Sequence, residues 1–346
     1  MAVKKVDDSA YVKLKKDLRE GTPENLYIFW GDERYLLSFY LGELRKKILD
    51  GGMEEFNHRR FEGKNLSMEE LSEAVDTLPV FAERTLIEVS DFDVFGCREE
   101  QKNALRDMIA NLPEYVCLVF VYDTVEYKCD SRIKINTEMK KLFSIVEFRQ
   151  QNQSDLTNWI GRRFKALGKC IDRPTAEYLA FVSGGLMNTL VGEIEKVGAY
   201  CQSTEITRES IDAVVTPVLD AVTYKLTDAV LQRKFDDAAN MLSDLLAVQE
   251  PAHKIIFSLS LKMRQLLAAR VCVESGKSYA YLMDIYSIKS DYAAKTLHAN
   301  AGKVSLSWCK NAVRLCAETA VKMNSESGDY SEQLSSLLVG LATLKR

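Results

Sequence analysis

Val116-Cys117-Leu118-Val119-Phe120-Val121 is the stretch that decides the fold of the N-terminal part of the chain. All six side chains are apolar, and they do not show the alternation of apolar and polar residues that marks a strand with one solvent-exposed face. Continuous apolar runs of this length are typical of parallel strands that helices cover on both faces. The stretch therefore predicts an inner strand of a parallel α/β sheet.

Similar short runs occur on both sides of this central stretch. Further strands are predicted at 26–30, 56–61, 85–89 and 145–148, with helices at 34–50, 68–76 and 99–112. Gly51-Gly52 ends the first of these helices. Ser67 begins the second as an N-cap, and Glu70 completes a capping box. Strands that alternate with helices predict a parallel sheet with helices on both sides.

The strand pattern stops at about residue 150, and helical periodicity continues to the C-terminus. Ser154 is the predicted N-cap of the first helix after this change. Helices are predicted at 155–167, 173–182, 188–201, 221–233, 235–247, 252–275, 278–286, 290–301, 305–324 and 331–345. Pro217 marks a second boundary among them. We predict three domains, 1–150, 151–216 and 217–346, in a fold class that combines α/β with all-α.

Composition limits the function classes. The 346 residues carry a net charge of −4 without long blocks of like charge, which disfavours nucleic-acid binding by electrostatics alone. No apolar run is long enough for a membrane span, and the lysine-rich N-terminus lacks the apolar part of a signal peptide. The eight cysteines form no C-x-x-C pair, so we expect a reducing cytoplasm and no metal site.

An α/β domain followed by helices suggests a nucleotide-binding fold, yet the chemistry is missing. A phosphate loop needs G-x-x-x-x-G-K-[ST] after the first strand, whereas this strand is followed by Gly31-Asp32-Glu33-Arg34. Asp123 follows the central strand where a Mg²⁺ ligand is expected, but no Glu follows it to orient a water, so we interpret it as a strand-end aspartate in a turn. Gly276-Lys277-Ser278 lacks the first glycine of the motif and lies between helices. We predict no cofactor and no catalytic residue.

Thr77-Leu78-Pro79-Val80-Phe81-Ala82-Glu83-Arg84 separates a predicted helix from the next strand. Pro79 is expected to stop the helix, because its ring fixes φ and it lacks an N–H. Val80 and Phe81 then have two interpretations. They are either core residues at the end of a packed layer, or apolar side chains that reach the surface at a helix-to-strand junction.

The chain as a whole resembles the delta-subunit family of bacterial DNA polymerase III, part of the sliding-clamp loader. The residues that carry the resemblance are Leu26 to Leu36 with the Gly31-Asp32-Glu33 turn, Phe56-Asn57, Phe61-Glu62-Gly63, Leu78 to Arg84, the strand 85–89, Gly192-Glu193-Ile194-Glu195-Lys196, Leu226-Thr227-Asp228-Ala229 and Met263-Arg264-Gln265-Leu266-Leu267. Gly192 departs from the family's usual Asn. Each piece is short, but their order and spacing together are specific.

The resemblance implies an AAA+-like fold: a RecA-like parallel-sheet domain, a small helical lid and a C-terminal helical collar. It implies a heteropentamer with gamma/tau ATPase subunits and a delta-prime subunit, joined through the collars and acting on primed DNA. This subunit would not hydrolyse ATP itself, although the holoenzyme is a nucleotidyltransferase. Two other functions stay open: an active AAA+ ATPase with degenerate motifs, and a helical DNA-binding scaffold protein.

The resemblance also implies a binding site. In the family, two adjacent hydrophobic residues insert into a pocket of the beta sliding clamp, and they align with Val80 and Phe81, the first of which is often Leu. Two side chains bury too little area for tight binding, so we add Leu78 as a third contact. Tyr330 is a candidate DNA contact that could stack on a base, or a helix-start tyrosine that packs on the collar.

Overall fold

A computed structural model describes residues 9–49, 53–286, 288, 290–325 and 330–344. The predicted helix stop at Gly51-Gly52 lies outside these residues. The chain forms two compact units, Met1–Gln150 and Gln151–Arg346. Within the described part, no helix is long and apolar enough to cross a membrane.

The first unit is built on a five-stranded parallel sheet in the order β2-β3-β4-β1-β5. The strands are β1 Leu26–Trp30, β2 His58–Glu62, β3 Thr85–Ser90, β4 Val116–Val121 and β5 Ser144–Glu147. The continuous apolar stretch is the inner strand β4, and all six of its residues are buried. It pairs in parallel with β1 and β3, so the predicted parallel sheet is confirmed.

The helices of the first unit are α1 Ser9–Glu20, α2 Arg34–Ile48, α3 Glu54–Asn57, α4 Met68–Asp76, α5 Glu99–Ala110 and α6 Lys134–Lys140. Helix α4 begins as predicted, with the Ser67 hydroxyl accepting from the Glu70 N–H at 3.0 Å. The predicted strand at 56–61 is wrong in its first two residues, which belong to the helical turn α3. Helices α1 and α6 were not predicted, because each buries only two side chains.

The second unit is almost entirely helical. Its helices are α7 Gln153–Ala166, α8 Arg173–Val182, α9 Met187–Tyr200, α10 Arg208–Val214, α11 Leu219–Leu231, α12 Phe235–Ala247, α13 Ala252–Glu274, α14 Tyr279–Tyr286, α15 Asp291–Ala301, α16 Leu306–Ser325 and α17 Tyr330–Thr343. Helix α13 lies in the core, where Leu259, Met263 and Leu266 are buried together with Trp308 of α16.

Two local predictions for this unit are wrong. A short parallel pair, β6 Cys170–Ile171 and β7 Glu205–Ile206, lies where no strand was expected, because two residues cannot display a period of two. The N-cap of α7 is Asn152 and not Ser154, since the Asn152 side chain accepts from the Asp155 N–H at 2.9 Å. Helix α10 was also not predicted.

An aromatic cluster joins the two parts of the helical unit that the sequence separates at residue 217. The ring centroids of Phe181 and Tyr224 are 5.1 Å apart, and those of Tyr178 and Tyr292 are 5.7 Å apart. Phe181 and Tyr178 belong to α8, while Tyr224 and Tyr292 belong to α11 and α15. Residues 151–216 and 217–346 therefore pack as one unit, and their division into a lid and a collar stays a prediction.

Candidate functional site

The segment from Thr77 to Arg84 connects α4 to β3 and presents apolar side chains to solvent. Phe81 is 87% exposed, Leu78 69% and Val80 36%. Large apolar side chains are usually buried, so a phenylalanine this exposed is unusual. The expectation that Phe81 reaches the surface is confirmed, and the alternative of a core position is wrong for it. Val80 is only partly exposed.

Asn57 fixes the backbone of this segment from inside the protein. It is fully buried at the end of α3. Its side-chain oxygen accepts from the Val80 N–H at 2.7 Å, and its amide nitrogen donates to the Val80 carbonyl at 2.9 Å. The same nitrogen donates to the Met53 carbonyl at 3.2 Å. The amide group is thus satisfied, as buried polar groups usually are.

Both ends of the segment are fixed as well. The Thr77 hydroxyl donates to the Glu73 carbonyl of α4 at 2.7 Å. The Arg84 guanidinium donates to the Pro23 carbonyl at 3.2 Å and to the side chain of Asn25. With Asn57 in the middle, the segment is held at three places. It is a preformed surface, in which Leu78 and Phe81 are displayed by ordered backbone.

Phe81 also has an unusual backbone conformation. Its φ is +50°, in the left-handed region. For an L-residue other than glycine this region costs about 1–2 kcal/mol, and for a bulky residue it is a clear outlier. Strained residues of this kind cluster at functional sites, where the surrounding structure holds them. The strain and the exposure coincide at one residue, which marks the segment as the candidate site.

A second exposed apolar region adjoins the segment. Met53 and Phe56 are each about half exposed, and Met53 shares the Asn57 amide with Val80. Their helical turn lines a shallow groove of about 740 Å³ together with Glu54, Glu55, His58 and Arg60. Two exposed apolar regions from different parts of the chain are therefore linked through the buried amide of Asn57.

A buried ion cluster supports the strand that follows Asn57. His58 Nε2 lies 3.0 Å from Glu88 Oε1, and Arg45 donates to both carboxylate oxygens of Glu88 at 2.9 and 3.0 Å. Burial raises the pKa of Glu88. The hydrogen bonds from His58 and Arg45 lower this pKa by more than burial raises it, so the pKa of Glu88 is below its ordinary value. The cluster joins α2, β2 and β3 behind the segment.

The position of a phosphate loop is filled by contacts within the chain. Gly31 has φ +133°, and a Cβ at this position would lie 2.2 Å from the Phe148 carbonyl oxygen. The Glu33 N–H donates to that same oxygen at 2.9 Å. Arg34 donates to the carbonyls of Tyr122 and Asp123 and pairs with the Asp123 carboxylate at 3.2 Å. Asp123 is thus a strand-end aspartate held by an arginine.

The remaining predicted residues lie elsewhere. Tyr330 is the first residue of α17, and its ring centroid is 4.9 Å from that of His253. This ring contact agrees with the interpretation of Tyr330 as a helix-start tyrosine that packs on the helical unit. A contact of Tyr330 with DNA stays a prediction. Among the described residues, no group of three or more His, Cys, Asp or Glu side chains could hold a metal ion.

Sequence reasoning did not find the role of Asn57. Asn57 contributes to the family resemblance only as part of the Phe56-Asn57 pair. Its hydrogen-bond partner Val80 is 23 residues away in the sequence. The anchoring contacts of Arg84 were missed for the same reason, since Pro23 and Asn25 precede it by about 60 positions. An asparagine directly before a strand is a weak signal, because asparagine is common in turns and loops of every kind.

Comparisons with known proteins agree with this fold. The family model "DNA polymerase III, delta subunit" matches residues 27–149, and the model of its C-terminal domain matches residues 220–341. DNA polymerase III subunit delta of Bacillus subtilis (strain 168) is 25% identical over 267 residues, 75% of this chain and 77% of the relative. A probable DNA polymerase III subunit delta of Aquifex aeolicus (strain VF5) is 21% identical over 277 residues, 78% of this chain and 77% of that one.

A solved structure extends the comparison to nearly the whole chain. The Bacillus subtilis DNA clamp loader delta protein (YqeN) matches with a TM-score of 0.54 at 22% identity, covering 96% of this chain and 99% of that one. This likeness shows the shared fold. With the parallel sheet and the helical unit, it confirms the predicted AAA+-like class, α/β plus all-α. Because two family models match separate parts of the sequence in the expected order, the chain belongs to the family of DNA polymerase III delta subunits.

Proposed function

We propose that this chain is the clamp-loader subunit that binds the beta sliding clamp and opens it for loading onto primed DNA. The observation that carries the proposal is Phe81, an exposed aromatic residue in a strained and firmly held backbone. Phe81 and Leu78 are the main contacts, and Val80 adds a smaller one because it is already partly buried. Family membership supports the same function.

Magnitudes indicate that the three side chains do not act alone. Full burial of one large apolar side chain contributes about 1.5–3 kcal/mol. Phe81 and Leu78 together thus contribute roughly 3–6 kcal/mol, which corresponds to millimolar affinity or somewhat better. Neighbouring surface must supply the rest. Because the segment is already ordered, little conformational entropy is lost on binding.

Opening the ring requires differential binding. A protein shifts an equilibrium only by the difference in its affinity for the two states, so this subunit must bind the open clamp better than the closed one. We propose that α4 and the segment at its C-terminal end act as a wedge against the clamp interface. ATP binding to the neighbouring gamma/tau subunits would expose the segment, and hydrolysis after DNA binding would withdraw it.

The assembly follows from the same proposal. Residues 217–346 would form the collar that joins this subunit to the gamma/tau ATPases and the delta-prime subunit. Hydrolysis would belong to those ATPases, since Arg34 occupies the end of β4 and pairs with Asp123. All eight cysteines are free thiols, which supports a reducing, cytoplasmic location.

Clamp binding is tested by surface plasmon resonance with the clamp of the same organism immobilised. Phe81→Ala should weaken binding about 30-fold, as expected for the loss of roughly 2 kcal/mol, and Leu78→Ala should have a smaller effect. Phe39→Ala is the matched control, because Phe39 of α2 is another exposed phenylalanine of the same unit. Full affinity of a folded Val80→Ala/Phe81→Ala double variant would contradict the proposal.

Opening is tested separately by release of the clamp from nicked circular DNA. The wild-type chain should accelerate release, whereas Phe81→Ala should leave the spontaneous rate nearly unchanged at concentrations that saturate the wild-type chain. A chain that binds the clamp tightly without accelerating release would retain the binding role and contradict the opening role.

A further inference from the structure

We infer that Asn57 is a positioning residue for clamp binding, which acts by fixing the direction in which Phe81 is presented. The inference rests on the proposed function, because it needs Phe81 to be a contact. Asn57 itself is fully buried, so its side chain is not available to the clamp. Its effect on binding is therefore exerted through the backbone of Val80.

The hydrogen bonds fall on the two peptide groups that flank Val80. The Val80 N–H belongs to the peptide after Pro79, and the Val80 carbonyl belongs to the peptide before Phe81. Asn57 holds the first at 2.7 Å and the second at 2.9 Å. With both planes fixed, the direction of the Cα–Cβ bond of Phe81 depends on one remaining rotation, its φ of +50°.

Asn57 is itself fixed by the sheet. It directly precedes β2, whose first residue, His58, is in register with Leu86 of the neighbouring strand β3. The His58 side chain is held further by Glu88 at 3.0 Å. The orientation of the exposed segment around Phe81 is thus fixed by contacts with the buried sheet. Support of this kind makes a binding surface rigid.

The same amide relates two exposed apolar regions to each other. It donates to the carbonyls of both Met53 and Val80. The backbone that carries the exposed Met53 and Phe56 and the backbone that carries the exposed Leu78 and Phe81 are therefore joined through one buried amide. Loss of the amide would leave all four apolar side chains in the sequence but would remove the hydrogen bonds that fix the two backbones relative to each other.

A double-mutant cycle with clamp affinity as the readout tests this inference. Asn57→Ala should weaken binding about tenfold when Phe81 is present, and less than about twofold in a Phe81→Ala background, because coupled residues are non-additive. Asn111→Ala is the matched control, since it removes an amide that donates to one carbonyl at the end of α5, that of Asp107. Circular dichroism checks that each variant is folded.

Amide hydrogen exchange of the wild-type chain gives a readout that needs no variant. The Val80 N–H should exchange more slowly than the neighbouring amides of the segment, because it is donated to a buried acceptor. Should Asn57→Ala fail to fold, Asn57→Asp is used instead. It keeps an acceptor for Val80 but places an anion against two carbonyls, so the same coupled loss is expected.

The outcomes separate the inference from the function on which it rests. Unchanged affinity of Phe81→Ala overturns the proposed function. A weakened Phe81→Ala together with an additive cycle overturns only the role of Asn57. Fast exchange of the Val80 N–H also overturns it, because the segment would then not be held as described.

Discussion

The side chain of Asn57 accepts a hydrogen bond from the N–H of Val80 and donates one to its carbonyl, at 2.7 and 2.9 Å. A buried side chain thus takes the place that a neighbouring strand would have in a sheet. The consequence is that an exposed turn is ordered without burying its own apolar residues. Phe81 is left outside, in a conformation that its own chemistry disfavours.

The strained backbone at Phe81 predicts that a glycine variant is more stable than an alanine variant, the reverse of the ordinary order. Its side chain is largely exposed, so removal costs little burial. Glycine adopts φ +50° without the steric cost that alanine retains, so Phe81→Gly should be more stable than Phe81→Ala by about 1 kcal/mol. Urea unfolding at pH 7 measures the difference.

Leu78 supplies the control for this comparison, because it is not among the described residues with positive φ. There the order should be the ordinary one, with the glycine variant less stable than the alanine variant. Equal stability of Phe81→Gly and Phe81→Ala would mean that Phe81 is not held in the left-handed region. Both Phe81 variants should lose clamp affinity alike, which separates stability from binding.

Much of the fold could be predicted because burial imposes periodicity on the sequence. Strand β4 and helix α4 match their predicted bounds, since one is apolar throughout and the other begins with a capping serine. Helix α1 could not be found in the same way, because only Leu14 and Leu18 are buried among its charged residues. A helix with two core contacts has too weak a pattern.

The candidate site could be predicted only in part. Pro79 indicated where α4 ends, and the family resemblance drew attention to Val80 and Phe81. Nothing local distinguishes an exposed phenylalanine from a buried one, since exposure depends on what packs nearby. The left-handed backbone of Phe81 and its support by Asn57 are products of tertiary contacts, which no pattern of neighbouring residues encodes.

The Glu88 cluster predicts a dependence of stability on pH. Because the pKa of folded Glu88 lies below its ordinary value of 4.5, the carboxylate contributes stability above about pH 4.5. That contribution is lost as the pH falls through the folded pKa. Glu88→Gln should lower the free energy of unfolding at pH 7 by about 1–3 kcal/mol, since Arg45 and His58 lose a charged acceptor.

The measurement is urea unfolding at pH 7 and in steps down to about pH 3, well below the ordinary pKa of 4.5. The wild-type chain should lose more stability between these values than Glu88→Gln does. Glu43→Gln is the control, because Glu43 pairs with Lys46 at the surface at 2.8 Å and such pairs contribute little. A Glu88→Gln variant with the acid sensitivity of the wild-type chain would show that this carboxylate does not titrate as described.

Burial predicts which thiols react in the folded chain. It raises the pKa of Cys117 and of Cys316 to about 12, whereas Cys170 is exposed. Since the thiolate is the reactive form, Ellman's reagent at pH 8 should label Cys170 rapidly and leave Cys117 and Cys316 unlabelled until urea unfolds the chain. Cys170→Ser should remove the rapid phase. Rapid labelling of Cys117 without denaturant would contradict the buried position of β4.

The pairing of Arg34 with Asp123 predicts that the isolated chain does not bind ATP. The guanidinium lies against the end of β4, at 3.2 Å from the carboxylate that a Mg²⁺ ion would need. The loop before Arg34 also lacks the lysine that contacts phosphates.

In equilibrium dialysis with Mg²⁺, ATP should show no saturable binding up to about 1 mM, a limit that corresponds to about 4 kcal/mol. Arg34→Ala should not restore binding, because it frees Asp123 without supplying a phosphate loop. Saturable, Mg²⁺-dependent binding that Asp123→Ala abolishes would instead favour the active-ATPase alternative.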